Sequence, residues 1–311
     1  MFFYFLNLSY SASIHDWTHI FGKLDYPDEY AYLLSPVSIN ENGDYFIYDC
    51  LFKGTKASIV SKTDGFTRIM IDSITFDTCY SEKSGGSIYI ESFGKSTYLL
   101  SHICAFRSHL AEKTTSVGTF AVIHQNKKSE NVINFTHSAF VKCYKEPAKS
   151  YYTIGIDGGK QNLNFINSTS NNLKSAPGAI LSHVYSSITK FSTYANDTTN
   201  GNAVVILDQG NFTIKSTSFV SNKSPLVASN VLSKGTAKIT DSQFLSNELR
   251  FLASVEPGSS LLLNKCYTPS NSRFKGEVQN LNTVEFSQTK EIRMFGTFLC
   301  RTYAPTTSSM N

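Results

Sequence analysis

Beyond its first few positions the chain has no long hydrophobic run; nothing approaches the about 18–20 consecutive apolar residues that a spanning helix needs. Charge is also sparse. With 28 Lys and Arg against 24 Asp and Glu, the net +4 is too small and too dispersed to mark nucleic acid or an anionic membrane as a partner. A Gly-rich phosphate loop is missing, so nucleotide binding has no cradle. Hairpin dipeptides are scarce: only Asn42-Gly43 and Asn200-Gly201 have the Asn-Gly form that tight antiparallel turns favour. That argues against a sandwich, and a propeller blade would need roughly 40–45 residues.

What is present is a short phrase that keeps returning: an aromatic, two further residues, then Asn or Cys. It reads at Phe76 to Cys79, Phe140 to Cys143, Phe219 to Asn222 and Phe244 to Asn247. Degenerate copies stand at Phe52 to Thr55, Phe106 to His109, Thr193 to Asn196, Thr268 to Asn271 and Phe286 to Thr289, with a poor one near Thr169 and Asn172. A period that drifts around about 24 residues marks a solenoid, whose repeats bury their apolar faces only by stacking.

The residues before each anchor alternate apolar and polar, as in Arg68 to Phe76, Phe212 to Phe219 and Ala237 to Phe244. Alternation rich in Ile, Thr and Phe is a strand signal, and helical spacing is absent from these segments. A second apolar strand, led by Gly, often follows: Gly85 to Ile90, Pro177 to Leu181 and Gly201 to Ile206. Two or three short strands per period describe one coil of an all-β fold, a right-handed single-stranded parallel β-helix of the pectin-lyase-like kind, here with about ten coils. The pattern predicts Phe52, Phe76, Phe106, Phe140, Phe219 and Phe244 in one inward column. It predicts an amide ladder of Asn196, Asn222, Asn247 and Asn271 beside it.

Residues 1–13 read as a signal peptide, with Ser11-Ala12-Ser13 fitting the small-residue cleavage site. Residues 14–44 form an N-terminal cap, 45–290 the β-helix repeats, and 291–311 a C-terminal cap and polar tail. The tail lacks the hydrophobic end of a glycolipid-anchor signal. His15 and His19 are four apart, but no Glu or Cys completes a zinc pattern, and they read as part of the cap. Sequons at Asn134, Asn167, Asn196, Asn211 and Asn222 fit a secreted or cell-surface glycoprotein. Of the six cysteines, Cys50 and Cys104, like Cys79 and Cys143, stand two coils apart, roughly 9–10 Å at 4.8 Å per coil. A disulfide needs Cα atoms within about 7 Å, so these four are expected as buried, reduced thiols.

The pairing of a Phe-x-x-Asn phrase with a Gly-Gly-Ala-Ile-type phrase resembles the repeats of chlamydial polymorphic outer-membrane proteins, and most closely the similar β-helix surface proteins of trichomonad parasites. Phe219 to Asn222 and Phe244 to Asn247 match the first phrase; Gly85-Gly86-Ser87-Ile88 carries Ser for Ala in the second. The resemblance spans about Tyr45 to Phe286 and implies display outside the cell with a role in adhesion. Many such proteins carry a C-terminal membrane span, and this chain has none. The fold also hosts polysaccharide lyases and hydrolases, which need acids, or acids with Arg or Lys, converging in a groove. Asp49, Asp72 and Asp241 fall on separated coils, Asp157 has no second acid at its position on the neighbouring coils, and Arg68 and Arg107 fit no lyase arginine pattern. Asp72 with Glu91 and Arg107 is the first place to look for such a groove. The expectation is a monomeric module without catalytic residues, cofactor or metal. Its faces, rich in Ser, Thr, Asn and the chain's 17 Tyr, would contact host-cell glycans, proteins or matrix. A secreted polysaccharide lyase or glycoside hydrolase is the alternative.

Overall fold

The structure, a computed structural model, describes residues 28–111, 117–125, 131–144, 151–226 and 228–284. The expected signal peptide, His15 and His19, the repeat copy at Phe286, Cys300 and the polar tail all lie outside the described residues. The described residues contain strands and turns and no helix, and every strand pairing is parallel. Among the described residues they stack as a β-solenoid of about eight turns; of the ten copies expected, the one at Thr268 to Asn271 forms no strand in the ladder and the one at Phe286 lies outside the described residues.

Each turn runs along three faces of one 25-stranded parallel sheet, called the first, second and third sheets. The first takes the Gly-led strands such as Ile59–Thr63, Ile88–Ser92 and Ala121–Gln125. The second takes Gly43–Tyr48, Thr67–Asp72 and Ser96–Ser101. The third takes the anchors, Leu51–Lys53, Thr75–Asp77 and Cys104–Phe106. The ladder begins before Tyr45, since Asp28–Ala31 pairs with Gly43–Tyr48 and Val37–Ile39 with Ile59–Thr63. Alternation selects which side chains go inward. Ile47, Ile71, Leu100, Phe135 and Leu163 are successive register partners in the second sheet, and all are fully buried. Glycine fits where coils crowd: a Cβ on Gly86 would stand 2.0 Å from the carbonyl oxygen of Thr119 on the next turn.

The inward aromatic column forms with one correction. Its rungs are Phe52, Phe76, Ala105, Phe140, Ser168, Tyr194, Phe219 and Phe244. Ala105 stands where Phe106 was expected, and Phe106 faces outward beneath Arg107, whose guanidinium lies 4.4 Å from the ring centroid. The space left by Ala105 is filled from the first-sheet side by Phe120, 5.6 Å from Phe76 and 4.7 Å from Phe140. Close-packed interiors fill such a gap rather than leave it open.

The amide ladder is displaced in the same way. Three residues past the aromatic column run Cys79, Ser108, Cys143, Asn171, Asp197, Asn222 and Asn247. Side-chain oxygens on this column accept backbone N–H groups from the turn before: Cys143 N–H reaches Asn171 at 2.7 Å, Asn171 N–H reaches Asp197 at 2.8 Å, and Asp197 N–H reaches Asn222 at 3.0 Å. Each amide also donates back to a carbonyl, Asn222 to Tyr194 at 3.0 Å and Asn247 to Phe219 at 2.9 Å. The thiols copy that donor role, Cys79 toward Phe52 at 3.2 Å and Cys143 toward Ala105 at 3.7 Å. Asn196 and Asn271 lie exposed on turns, so Asp197 and Asn171 hold rungs that the sequence reading gave to other residues or passed over.

Cys50, Cys79, Cys143 and Cys266 are buried free thiols. Burial pushes the Cys143 thiol up to about 12, the Cys266 thiol up to about 11, and raises that of Cys50. Cys104 departs from expectation. It is disulfide-bonded. It pairs in register with Thr75 and Ala139, one position off the column that starts at Cys50.

Candidate functional site

Two rows of side chains run up the outside of the solenoid. The first lies at the corner after the second sheet. Every turn reaches this corner with a left-handed residue: Asp49, Ser73, His102, His137, Phe165, Phe191, Ser216, Asp241 and Lys265 all have φ between 47° and 56°. Asn, Asp and His suit that conformation, whereas Phe is strained in it. Four consecutive rungs nevertheless carry rings. His102 stacks on His137 at 5.3 Å, His137 on Phe165 at 4.7 Å and Phe165 on Phe191 at 5.2 Å. Phe191 is 42% exposed and His102 is open to solvent. Burial, and then the neighbouring His102, hold the His137 imidazole below its ordinary range.

Asp72 anchors the near end of this row. It is buried, and its carboxylate accepts from Ser73 at 2.8 Å, from Ser101, and lies 2.9 Å from Nδ1 of His102. Glu91 and Arg107, the first place to look for a groove with it, go elsewhere: Glu91 pairs with Lys62 at 3.2 Å in the first sheet, and Arg107 with Asp77 at 3.6 Å after the third. Arg68 makes a two-pronged pair with Asp44 at 2.6 and 2.7 Å. Asp49 and Asp241 are corner residues of the aromatic row.

The second row crosses the outer face of the first sheet. Lys62, Glu91, His124, Asp157, Ser182, Asp208 and Lys234 are register partners on successive turns. At its centre Asp157 accepts from Ser182 at 3.0 Å and meets Nδ1 of His183 at 2.6 Å, with His124 at 3.8 Å. Burial works to raise the Asp157 carboxyl, but His124, His183 and Ser182 together pull it down to about 2. Asp157 is therefore an ionised, engaged carboxylate rather than a proton donor. Sequence reasoning missed His124, His183 and Asp208 here. Their signal was a shared offset from the Gly-led strands, hidden by turns of unequal length. Beside this row a cavity of about 570 Å³ is lined by Lys56, Lys62, Lys83, Glu82 and Tyr89; the Lys62 ammonium lies 5.4 Å from the Tyr89 ring centroid. Burial, and then Glu91, push the Tyr89 phenol up to about 12.

Among the described residues no group of three or more His, Cys, Asp or Glu is arranged to hold a metal ion, and no helix is long and apolar enough to cross a membrane. No protein-family model matches the chain, and no curated protein matches it either.

Proposed function

We propose that this chain is a non-catalytic β-helix of the right-handed, pectin-lyase-like form, displayed outside the cell, that contacts host-cell glycans, proteins or matrix through its lateral faces. The resemblance of its repeats to trichomonad surface proteins supports the setting. The right-handed form agrees with the twist preference of parallel crossovers.

The observation that carries the reading is the stacked row His102, His137, Phe165 and Phe191. Each stacked pair contributes roughly 0.5–1.5 kcal/mol. Polar residues, Asp49, Ser73, Ser216 and Asp241, hold the same corner on the flanking rungs. A strip of partly exposed rings suits contact with the apolar faces of sugars or with partner side chains. The test is a glycan and cell-binding screen on the purified chain, with the triple variant His102→Ser, Phe165→Ser, Phe191→Ser alongside. Binding that falls at least tenfold in a folded variant is expected. Undiminished binding, or none in the parent, would remove the row from function.

A specific observation keeps the secreted polysaccharide-degrading enzyme as a second reading. Asp157 and Asp208 stand two rungs apart in one open row, which at 4.8 Å per rung is about 9.6 Å. That is at the upper limit for the paired carboxyls of an inverting glycosidase, roughly 6.5–9.5 Å. Such a pair needs one carboxyl raised so that it can donate a proton, and Asp157 is shifted the other way.

A further inference from the structure

Among the described residues the third sheet has no strand after Gln243–Leu245, and a cavity lies where its next rung would be. Tyr267 makes only an isolated bridge to Gln243. Pro269 has no N–H to continue the ladder, and the chain turns instead, Ser272 N–H donating to the Pro269 carbonyl at 3.0 Å. Between that turn and the corner at residues 247–252 is a cavity of about 310 Å³, near the lower end for ligand pockets.

The lining is rich in donors. Among the described residues Arg250 and Arg273, both exposed at it, have no ion-pair partner, and none that lines it is a carboxylate. The Arg250 guanidinium sits 5.5 Å from the centroid of the Phe251 ring, which fixes it beside the opening. Asn230 also lines the cavity and is fully buried. Its oxygen accepts from Asn222 at 3.2 Å, while its Nδ2 has no hydrogen-bond partner among the described residues. A buried amide donor without a partner is costly. Leu252 and Pro269 add apolar surface, and Asn271 adds an exposed amide.

We propose that this cavity binds a single carboxylate-bearing sugar residue. A guanidinium recognises a carboxylate, and two line this cavity; the Asn side chains suit ring hydroxyls, and Phe251, Leu252 and Pro269 suit the C–H face of a pyranose. The volume admits one ring. The site is distinct from the aromatic row, so failure of either leaves the other standing.

The test is a ligand-observed NMR titration of the full chain with glucuronate and N-acetylneuraminate, with glucose, acetate and phosphate as comparison probes. Saturable binding of at least one acidic sugar, with glucose, acetate and phosphate each at least about tenfold weaker, is expected. Arg250→Gln and Arg273→Gln should each weaken the acidic sugar about tenfold or more. Both side chains are exposed, so unfolding midpoints should hold. Glucose binding as tightly as glucuronate would overturn the proposal, as would acetate or phosphate doing so, which would mark a bare anion site. Arginine variants that keep full affinity, or no acidic-sugar binding up to about 10 mM, would overturn it too.

Discussion

Replacing Asp197 by Asn should stabilise the protein by an amount that grows with pH. Asp197 is fully buried, and burial pushes its carboxyl up to about 7 against the bonds from Asn171 and Ser168 that pull it down. Its Oδ1 accepts from Asn171 as an amide would, but Oδ2, where the other rungs present an N–H, can only accept while ionised, here from Ser168 at 3.2 Å. Protonated Asp mimics the Asn of neighbouring rungs; ionised Asp does not. Because the folded value lies above the ordinary 3.8, this group's contribution is fully present below about pH 4 and is lost as pH rises through about 7. Three pH units at about 1.4 kcal/mol each amount to roughly 4 kcal/mol. Asp197→Asn should match the parent near pH 4, gain about 1.4 kcal/mol per unit above it, and level off beyond pH 7. Urea unfolding followed by circular dichroism from pH 4 to 8 measures this. A variant less stable than the parent at pH 8, or a difference that does not change with pH, would refute the reasoning.

Asp157 should act in the opposite sense: held at about 2, it stabilises the fold above its ordinary 3.8 and loses that contribution as pH falls through about 2, so Asp157→Asn should flatten the acid limb of an unfolding curve. Phe219→Ala should cost about 3–5 kcal/mol, since the ring is fully buried and stacked at 4.9 Å on Phe244 and 5.4 Å on Tyr194; denaturant midpoints report it. Alkylation and intact mass should show Cys50, Cys79, Cys143 and Cys266 labelled only in denaturant, and Cys104 only after reduction. In a glycosylating host, glycopeptide mapping should find sugar on the exposed Asn196 or Asn211 and none on Asn222 or Asn167, both buried.

Much of the fold was legible because a solenoid writes its geometry repeatedly. Alternation fixed which side of each strand is inward, and the aromatic-x-x-Asn phrase placed Phe76, Phe140, Phe219 and Phe244 on one column without error. The slips came where the largest apolar residue was not the inward one. Phe106 outweighs Ala105 in sequence, yet Phe120 from another sheet supplies the missing volume, a substitution that only three-dimensional packing shows. The same one-residue shift takes Cys104 off the column of Cys50. At Asn196-Asp197 the amide was the more familiar ladder residue, but the spacing from Tyr194 selects Asp197. The outer rows were harder still. Stacking joins His102 to His137 and register joins His124 to Asp157 across turns of different length, so no fixed sequence interval exposes them.

The most direct test of a binding-only role is incubation of the purified chain with a uronic-acid polymer, following both retention on the polymer and polymer length over time. Retention with unchanged polymer length is the expected result. Shortening of the polymer that disappears in Asp157→Asn or Asp208→Asn would contradict it and establish the lateral row as a catalytic groove.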